Sequence, residues 1–278
     1  MKTTETELKM DHFSRHKNNK NPVPLVSCLC VTHQKPELLA RAVACFLSQS
    51  YPLKQLVIVY ENIDPLTEAY VRKLSLTTAI KLVRADSRSV KKTLGELRNI
   101  AVQEADGEYV CQWDDDDWCH SDRISYQVEA LLKSDKPASI LDRWIIYNAI
   151  DHKAYYSHKR LWEGSIMCQK DIFQLKSYSA VSKGEDTAII DYLDEHNYLA
   201  SLDAPYLYIY IYHSRNTWAL DHFKDIFESS EEMPNSFSRI VQRVVESNIS
   251  PVRRSQYLEK TAGLFAGTYS RLIKYLSP

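Results

Sequence analysis

Four consecutive carboxylates, Asp114-Asp115-Asp116-Asp117, are the part of this sequence best equipped for chemistry. No Lys or Arg lies between Glu108 and Asp122, so solvent or a counter-charge must relieve their mutual repulsion. The run follows an apolar segment ending at Trp113 and precedes Trp118, which makes full solvation uncomfortable. A bound divalent cation resolves the conflict, because hard cations take carboxylate oxygens. An EF-hand does not fit, since the loop glycine and the later glutamate are absent. The plain alternative is an exposed acidic turn that caps the next helix. A second acidic pair, Glu185-Asp186, stands just before a helical pattern, where the helix dipole favours negative charge.

The surrounding segments say what must hold these groups. Leu25 to Val31 is an apolar run of strand length, and Pro36 then opens a helix with Leu38, Leu39, Ala42, Val43, Phe46 and Leu47 at helical spacing. Leu56 to Tyr60 reads as a second buried strand, Thr67 to Leu76 as a helix and Ile80 to Val83 as a short third strand. Leu94, Leu97, Ala101 and Ala105 mark a helix ending near Asp106-Gly107, and Glu108 to Trp113 is a fourth strand running into the aspartates. Strands alternating with helices predict a mostly parallel α/β sheet with helices on both faces. In such sheets ligands bind beyond the carboxyl ends of the strands, which is where the acidic run falls. Further on, Ile140 to Tyr147 and Tyr206 to Tyr212 read as strands, Asp186 to Glu195 as a helix, and the chain from Ala219 as helical to its end.

Composition narrows the field. The 278 residues carry 35 basic and 36 acidic side chains, so charge gives no reason to expect nucleic acid as a partner. No apolar run approaches the ~20 residues of a membrane span. Residues 1–24 lack an apolar signal region and read as a disordered leader. None of the six cysteines has zinc-site spacing, which predicts buried free thiols in a reducing, cytoplasmic setting. With six glycines there is no dinucleotide fingerprint and no P-loop.

Several short stretches, taken in order, resemble family 2 glycosyltransferases. Val26-Ser27-Cys28-Leu29-Cys30-Val31-Thr32, Gln49-Ser50-Tyr51-Pro52 and Leu56-Val57-Ile58-Val59-Tyr60-Glu61-Asn62 look like the family's opening. Leu97-Arg98-Asn99, then Asp106-Gly107-Glu108-Tyr109-Val110 and the aspartates, resemble its central stretch and D-x-D motif, and Gly184-Glu185-Asp186 its later E-D motif. The similarity runs from about Leu25 to about Trp218. One departure is that Tyr60, Glu61 and Asn62 stand where the family commonly has two Asp and a Gly.

The resemblance implies a GT-A fold: a mostly parallel central sheet flanked by helices over 25–218, with a helical C-terminal extension over 219–278. It implies an inverting, metal-dependent transfer of sugar from a nucleotide-diphosphate donor, UDP-sugar favoured, to the hydroxyl of a glycan or lipid-linked acceptor. By the family pattern Asp116 binds Mn²⁺ or Mg²⁺, with Asp114 on the ribose or on the metal through water, and Asp115 beside them. Asp186, with Glu185, supplies the general base. Thr32, Glu61, Arg98 and Asn99 are the remaining nucleotide candidates, with Arg98 suited to pairing with phosphate. Trp162, Glu163 and Gly164 correspond to the acceptor segment, where an aromatic ring stacks on a sugar face. His213 corresponds to a further metal or diphosphate ligand. Lys260, Arg271 and Lys274 among apolar residues permit peripheral contact with the inner membrane face, although packing is the preferred account of these helices. Competing readings are a nucleotidyltransferase, disfavoured because His33-Gln34-Lys35-Pro36 lacks glycine, and an inactive nucleotide-sugar binding module.

Overall fold

The computed structural model describes residues 23–74, 78–88, 90–247 and 249–262. Alternating apolar segments assemble into two sheets. The larger is built from β1 (Val26–Val31), β2 (Lys54–Glu61), β3 (Ile80–Ala85), β4 (Tyr109–Gln112), β6 (Ala138–Leu141), β9 (Met167–Gln169) and β10 (Leu199–Leu202), in the order β10-β6-β9-β4-β1-β2-β3. Neighbours pair in parallel except β9, which runs against both β4 and β6. The smaller, in the order β12-β8-β7-β11-β5, contains β5 (Trp118–Cys119), β7 (Ile145–Asn148), β8 (Lys153–Tyr156), β11 (Tyr208–Tyr212) and β12 (Glu231–Glu232).

Strand alternation divides the core of the larger sheet between its faces. Cys28, Cys30, Leu56 and Ile58 join one buried cluster with Leu39, Phe46 and Trp113, which α1 (Pro36–Leu47) covers. Leu29, Val57 and Val59 join the other, with Leu97 and Ala101 of α3 (Leu94–Glu104) and Ile189 of α6 (Thr187–Glu195). Helices therefore flank both faces, as the alternation of segments predicts. The thiols of Cys28 and Cys30 share one face, and all six cysteines are buried and free.

The structure corrects three element assignments. The run Ile140–Tyr147 is two strands in different sheets, β6 and β7; Asp142-Arg143 breaks it, and the Trp144 ring stacks between those of Trp162 and Tyr208 at 4.7 and 4.4 Å. The second helix, α2 (Pro65–Val71), is capped by Asp64 on the Thr67 amide and passes into a 3₁₀ turn, Arg72–Leu74. Beyond Ala219, α7 (Leu220–Glu228) and α8 (Asn235–Glu246) are separated by β12, which pairs antiparallel with β8 ahead of the helix-breaking Pro234. A last helical segment follows over 251–262.

Phe237, Val241 and Val244 of α8, together with Leu258, belong to the same buried cluster as β1 and β2, so this part of the chain packs onto the core. Among the described residues no helix is long and apolar enough to cross a membrane. Of the leader expected over 1–24, residues 1–22 lie outside the described residues, as do 263–278 with Arg271 and Lys274; Pro24 is not disordered but buried, its carbonyl accepting from the Tyr51 hydroxyl at 2.7 Å.

Candidate active site

A cleft of about 630 Å³ opens beyond the carboxyl ends of β1, β2 and β4, and Thr32, Glu61, the four aspartates, Glu185 and Asp186 all reach its wall. Each wall segment is fixed locally. After β1 the backbone turns through Gln34, whose φ of 53° is unusual for a residue with a Cβ and whose amide donates to Asp64 Oδ2 at 2.7 Å. Lys35 then accepts the first bonds of α1 through its carbonyl. The loop carrying Glu185 lies against α3, which starts with a Thr93/Glu96 capping box. Contact is so close that a Cβ on Gly95 would fall 1.7 Å from the Ser179 carbonyl oxygen, so only glycine fits there.

The aspartates part into two kinds. Asp115 and Asp117 are buried, at 5% and 2% exposure. Asp117 accepts from the Tyr208 hydroxyl at 2.6 Å and from the Ile211 amide at 2.9 Å, tying the acidic loop to β11. Burial and the charges of Asp116 and Asp114 raise its carboxyl well above the ordinary range. Asp115 is pushed up to about 6 by burial and by Asp116, with Lys35 opposing. Asp114 accepts from Arg98 at 2.8 Å and from Tyr208 at 3.2 Å. Asp116 Oδ2 meets Lys35 Nζ at 2.7 Å and His213 Nε2 at 3.1 Å, and its carbonyl accepts from Arg41. Burial works against the charge of Asp116, yet the His213 and Lys35 contacts hold it below the usual carboxylate range.

The counter-charges missing from the local sequence therefore arrive from elsewhere in the chain. Lys35 spans Asp116 and Asp115, at 2.7 and 3.1 Å. Arg98 spans Asp114 and Glu185, at 2.8 and 2.7 Å. Arg98 is thus engaged by carboxylates within the protein, and phosphate pairing would require it to exchange one of them. Glu185 is 3% exposed; burial raises its pKa and Arg98 opposes the rise. Asp186 differs. It stands at the N-cap of α6 but makes no capping bond, and its Oδ2 instead accepts from Gln112 Nε2 at 3.3 Å. Gln112 is itself oriented by the Tyr178 hydroxyl at 3.2 Å.

Other expected site residues fall as follows. Asn99 does not reach the cleft: its amide donates to the Tyr178 carbonyl at 2.9 Å and accepts from the Tyr178 amide at 3.0 Å. Trp162 is 2% exposed, stacked on Trp144 and approached by the Arg160 guanidinium at 4.6 Å, so its ring offers no open face to a sugar. Trp218, also on the cleft, is 37% exposed, stacked on His222 at 4.3 Å and with Lys183 Nζ 5.5 Å from its ring centre. Glu163 pairs with Arg160 at 2.6 Å, and a Cβ on Gly164 would come within 3.0 Å of Asp114 Oδ2. Thr32 is buried at the end of β1, and Glu61 lies at 2% exposure with its Oε2 3.6 Å from His33 Nδ1. Lys35, Tyr208, Gln112 and Trp218 were not singled out from the sequence. The one available signal is Lys35 itself, placed four residues beyond the end of β1 and directly before a helix-opening proline.

The donor set fits a divalent cation. Asp116 and His213 bring a carboxylate and an imidazole to one point, where the ammonium of Lys35 already shows that positive charge is held. Asp114 lies on the same cleft wall. Among the described residues, the group of three carboxylate or imidazole side chains whose ligand atoms all lie within 4.8 Å of one another is His120, Asp122 and Glu259, off that wall.

The mostly parallel sheet flanked by helices, with a carboxylate-lined cleft beyond its strand ends, has the GT-A fold of glycosyltransferases. S. aureus TarS 1–349 in complex with UDP-GlcNAc superposes with a TM-score of 0.58 at 13% identity, over 84% of this chain and 70% of that one. The mannosyltransferase PcManGT from Pyrobaculum calidifontis, in complex with GDP-Man and Mn²⁺, gives 0.56 at 14% identity, over 98% and 88%. Residues 27–191 match the family described as glycosyl transferase family 2; the chain belongs to that family and is a glycosyltransferase.

Proposed function

We propose that this enzyme transfers a sugar, with inversion, from a nucleotide-diphosphate donor to the hydroxyl of a glycan or lipid-linked acceptor in the cytoplasm. The observation that carries the reading is Asp186. A carboxylate at a helix start ordinarily caps it; this one makes no cap and faces the cleft that holds Asp114 and Asp116.

Asp186 takes the proton of the acceptor hydroxyl, and Gln112 and Tyr178 hold its orientation. The acceptor oxygen forms its bond to the anomeric carbon as the bond to the diphosphate oxygen breaks, with the electron pair leaving on the diphosphate. Attack from the face opposite the leaving group inverts the centre in one displacement. Asp116 and His213, with Asp114 beside them, would hold Mn²⁺ or Mg²⁺, which when bound stabilises charge on the leaving diphosphate as a Lewis acid. Glu61 accepts from a base N–H, and the main chain at Thr32 borders the base. UDP is the nucleotide favoured on the family resemblance; the TarS complexes with UDP and UDP-GlcNAc and the PcManGT complex with GDP-Man support a nucleotide-sugar donor without choosing the base. Arg98 acts by fixing the D-x-D and E-D carboxylates relative to each other.

The test is a thermal-shift screen of UDP- and GDP-sugars with and without Mn²⁺, followed by turnover of any that bind. A donor at 100 times its Kd adds about 2.7 kcal/mol of stability. If no nucleotide-sugar moves the melting temperature under either condition, the reading fails.

A further inference from the structure

We infer that Lys35 is an internal counter-ion occupying the place of the metal, and that a divalent cation binds only by displacing its ammonium from Asp115 and Asp116. Three observations carry this. Lys35 Nζ lies 2.7 Å from Asp116 Oδ2 and 3.1 Å from Asp115 Oδ1, and Asp116 Oδ2 is also the oxygen that faces His213 Nε2. The ammonium and a metal therefore claim the same atom, and two cations that close repel strongly where little water remains. The side chains concerned are 15%, 13% and 7% exposed, so the pairing is not a screened surface contact.

The second observation is the mounting. Gln34 in the left-handed region and its bond to Asp64 hold the loop, Pro36 opens α1, and the Lys35 carbonyl is tied into the first turn. The backbone of Lys35 is thereby fixed while its long side chain keeps its rotatable bonds. The third is the destination. Lys35 lines the same cleft as Lys91 and Lys92, so an ammonium released from the aspartates stays within reach of an anion bound there. On the reading given under Proposed function, that anion is the donor's diphosphate. Metal and nucleotide then bind cooperatively, and by reciprocity each tightens the other by the same factor.

The experiment begins without nucleotide. Mn²⁺ is titrated into the wild-type protein and Lys35→Met, with free Mn²⁺ read by electron paramagnetic resonance. Lys35→Met should bind at least about tenfold more tightly, within the usual range of coupling between sites. Lys92→Met, which removes a cleft charge not paired with the aspartates, should change affinity far less. An equal or weaker affinity in Lys35→Met, or an equal gain in Lys92→Met, overturns the inference.

A second arm uses only wild-type protein, so it stands even if the variant folds poorly. Lysines are labelled with an amine-acylating reagent and quantified by peptide mass spectrometry. Mn²⁺ should raise labelling of Lys35 and leave Lys81 unchanged; unaltered labelling of Lys35 at saturating Mn²⁺ also overturns the inference. UDP and GDP are added last. If neither binds, the proposed function fails while both Mn²⁺ arms remain decisive for Lys35.

Discussion

Arg98→Met tests the frame of the site most directly. The substitution keeps the aliphatic stem and removes a guanidinium that donates to Glu185 at 2.7 Å and to Asp114 at 2.8 Å. Arg98 and Glu185 have side chains 7% and 5% exposed, so water replaces little of the lost pairing. Removing one partner of a buried pair costs about 3–5 kcal/mol, because the other charge is left uncompensated. For a domain near this size each kcal/mol lowers the melting temperature by about 2–4 °C, which predicts a fall of roughly 6–20 °C. The loss must also depend on pH. Burial already raises the pKa of Glu185 and Arg98 opposes that rise, so without Arg98 the carboxyl stays protonated to higher pH. A group with a raised folded pKa costs no stability below its unfolded value, about 4.3 for Glu, and destabilises progressively as pH climbs through the folded value. The gap between variant and wild type should therefore be largest near pH 8 and should shrink towards pH 4.5. Circular-dichroism melts across that range read it directly. Arg98→Lys, which keeps the charge but not the fork, should fall between the two. If Arg98→Met melts within about 2 °C of wild type at pH 8, the clamp is not structural and Arg98 is free to serve the donor.

Three further outcomes follow from the geometry. Asp186→Asn should leave donor affinity, measured calorimetrically, unchanged and lower kcat by at least about 10²-fold; weakened donor binding with kcat intact would reverse the assignment of roles. Asp116→Ala should abolish metal-dependent turnover and keep the wild-type circular-dichroism spectrum, and excess chelator should do the same to the wild-type enzyme; full activity in either case refutes the metal role. The carboxyl of Asp115 is pushed up to about 6, so its contribution to stability is complete below about 4 and falls as pH rises towards 6. Asp115→Asn should flatten the decline in wild-type stability over that interval in denaturant titrations, and an unchanged slope would show that Asp115 is not the group responsible.

The central strands were legible because each buries both faces and so reads as an unbroken apolar run, as Cys28 to Val31 and Leu56 to Tyr60 do. The same property hid the passage between sheets. Ile140-Leu141 and Ile145-Ile146 are equally apolar, and only the charged Asp142-Arg143 marks where the chain leaves one sheet for the other. The acidic run and the E-D pair were legible as local motifs. Their partners were not, because nothing local specifies them: Lys35 lies 81 residues before Asp116, and His213 lies 97 after it. Asn99 shows the opposite failure. Its family-like stretch suggests a nucleotide contact, but an amide fits the paired donor and acceptor of the Tyr178 backbone just as well, and that is where the fold places it.

Four aspartates in a row cost a folded protein heavily unless partners compensate them, and here the partners show what the run accomplishes. Asp117 gives up its solvation to the Tyr208 hydroxyl and the Ile211 amide, and so joins the end of β4 to β11 across the two sheets. The same hydroxyl reaches Asp114 at 3.2 Å, and its ring is packed between Trp144 and the Arg123 guanidinium, at 4.4 and 4.8 Å. Arg123 in turn donates to the carbonyls of Gln112 and Gly164, which carry the orienting amide of Asp186 and the backbone facing Asp114. Asp117, Tyr208 and Arg123 each have a buried partner for charge or proton, which fixes their positions, whereas Asp115 Oδ2 and the Trp144 indole N–H have no hydrogen-bond partner. The outer carboxylates, Asp114 and Asp116, inherit that rigidity while keeping access to the cleft. Their proximity, unfavourable in isolation, is sustained by the bonds of Asp117 to β11 and by the counter-charges of Lys35 and Arg98, so the acidic wall of the cleft is already assembled.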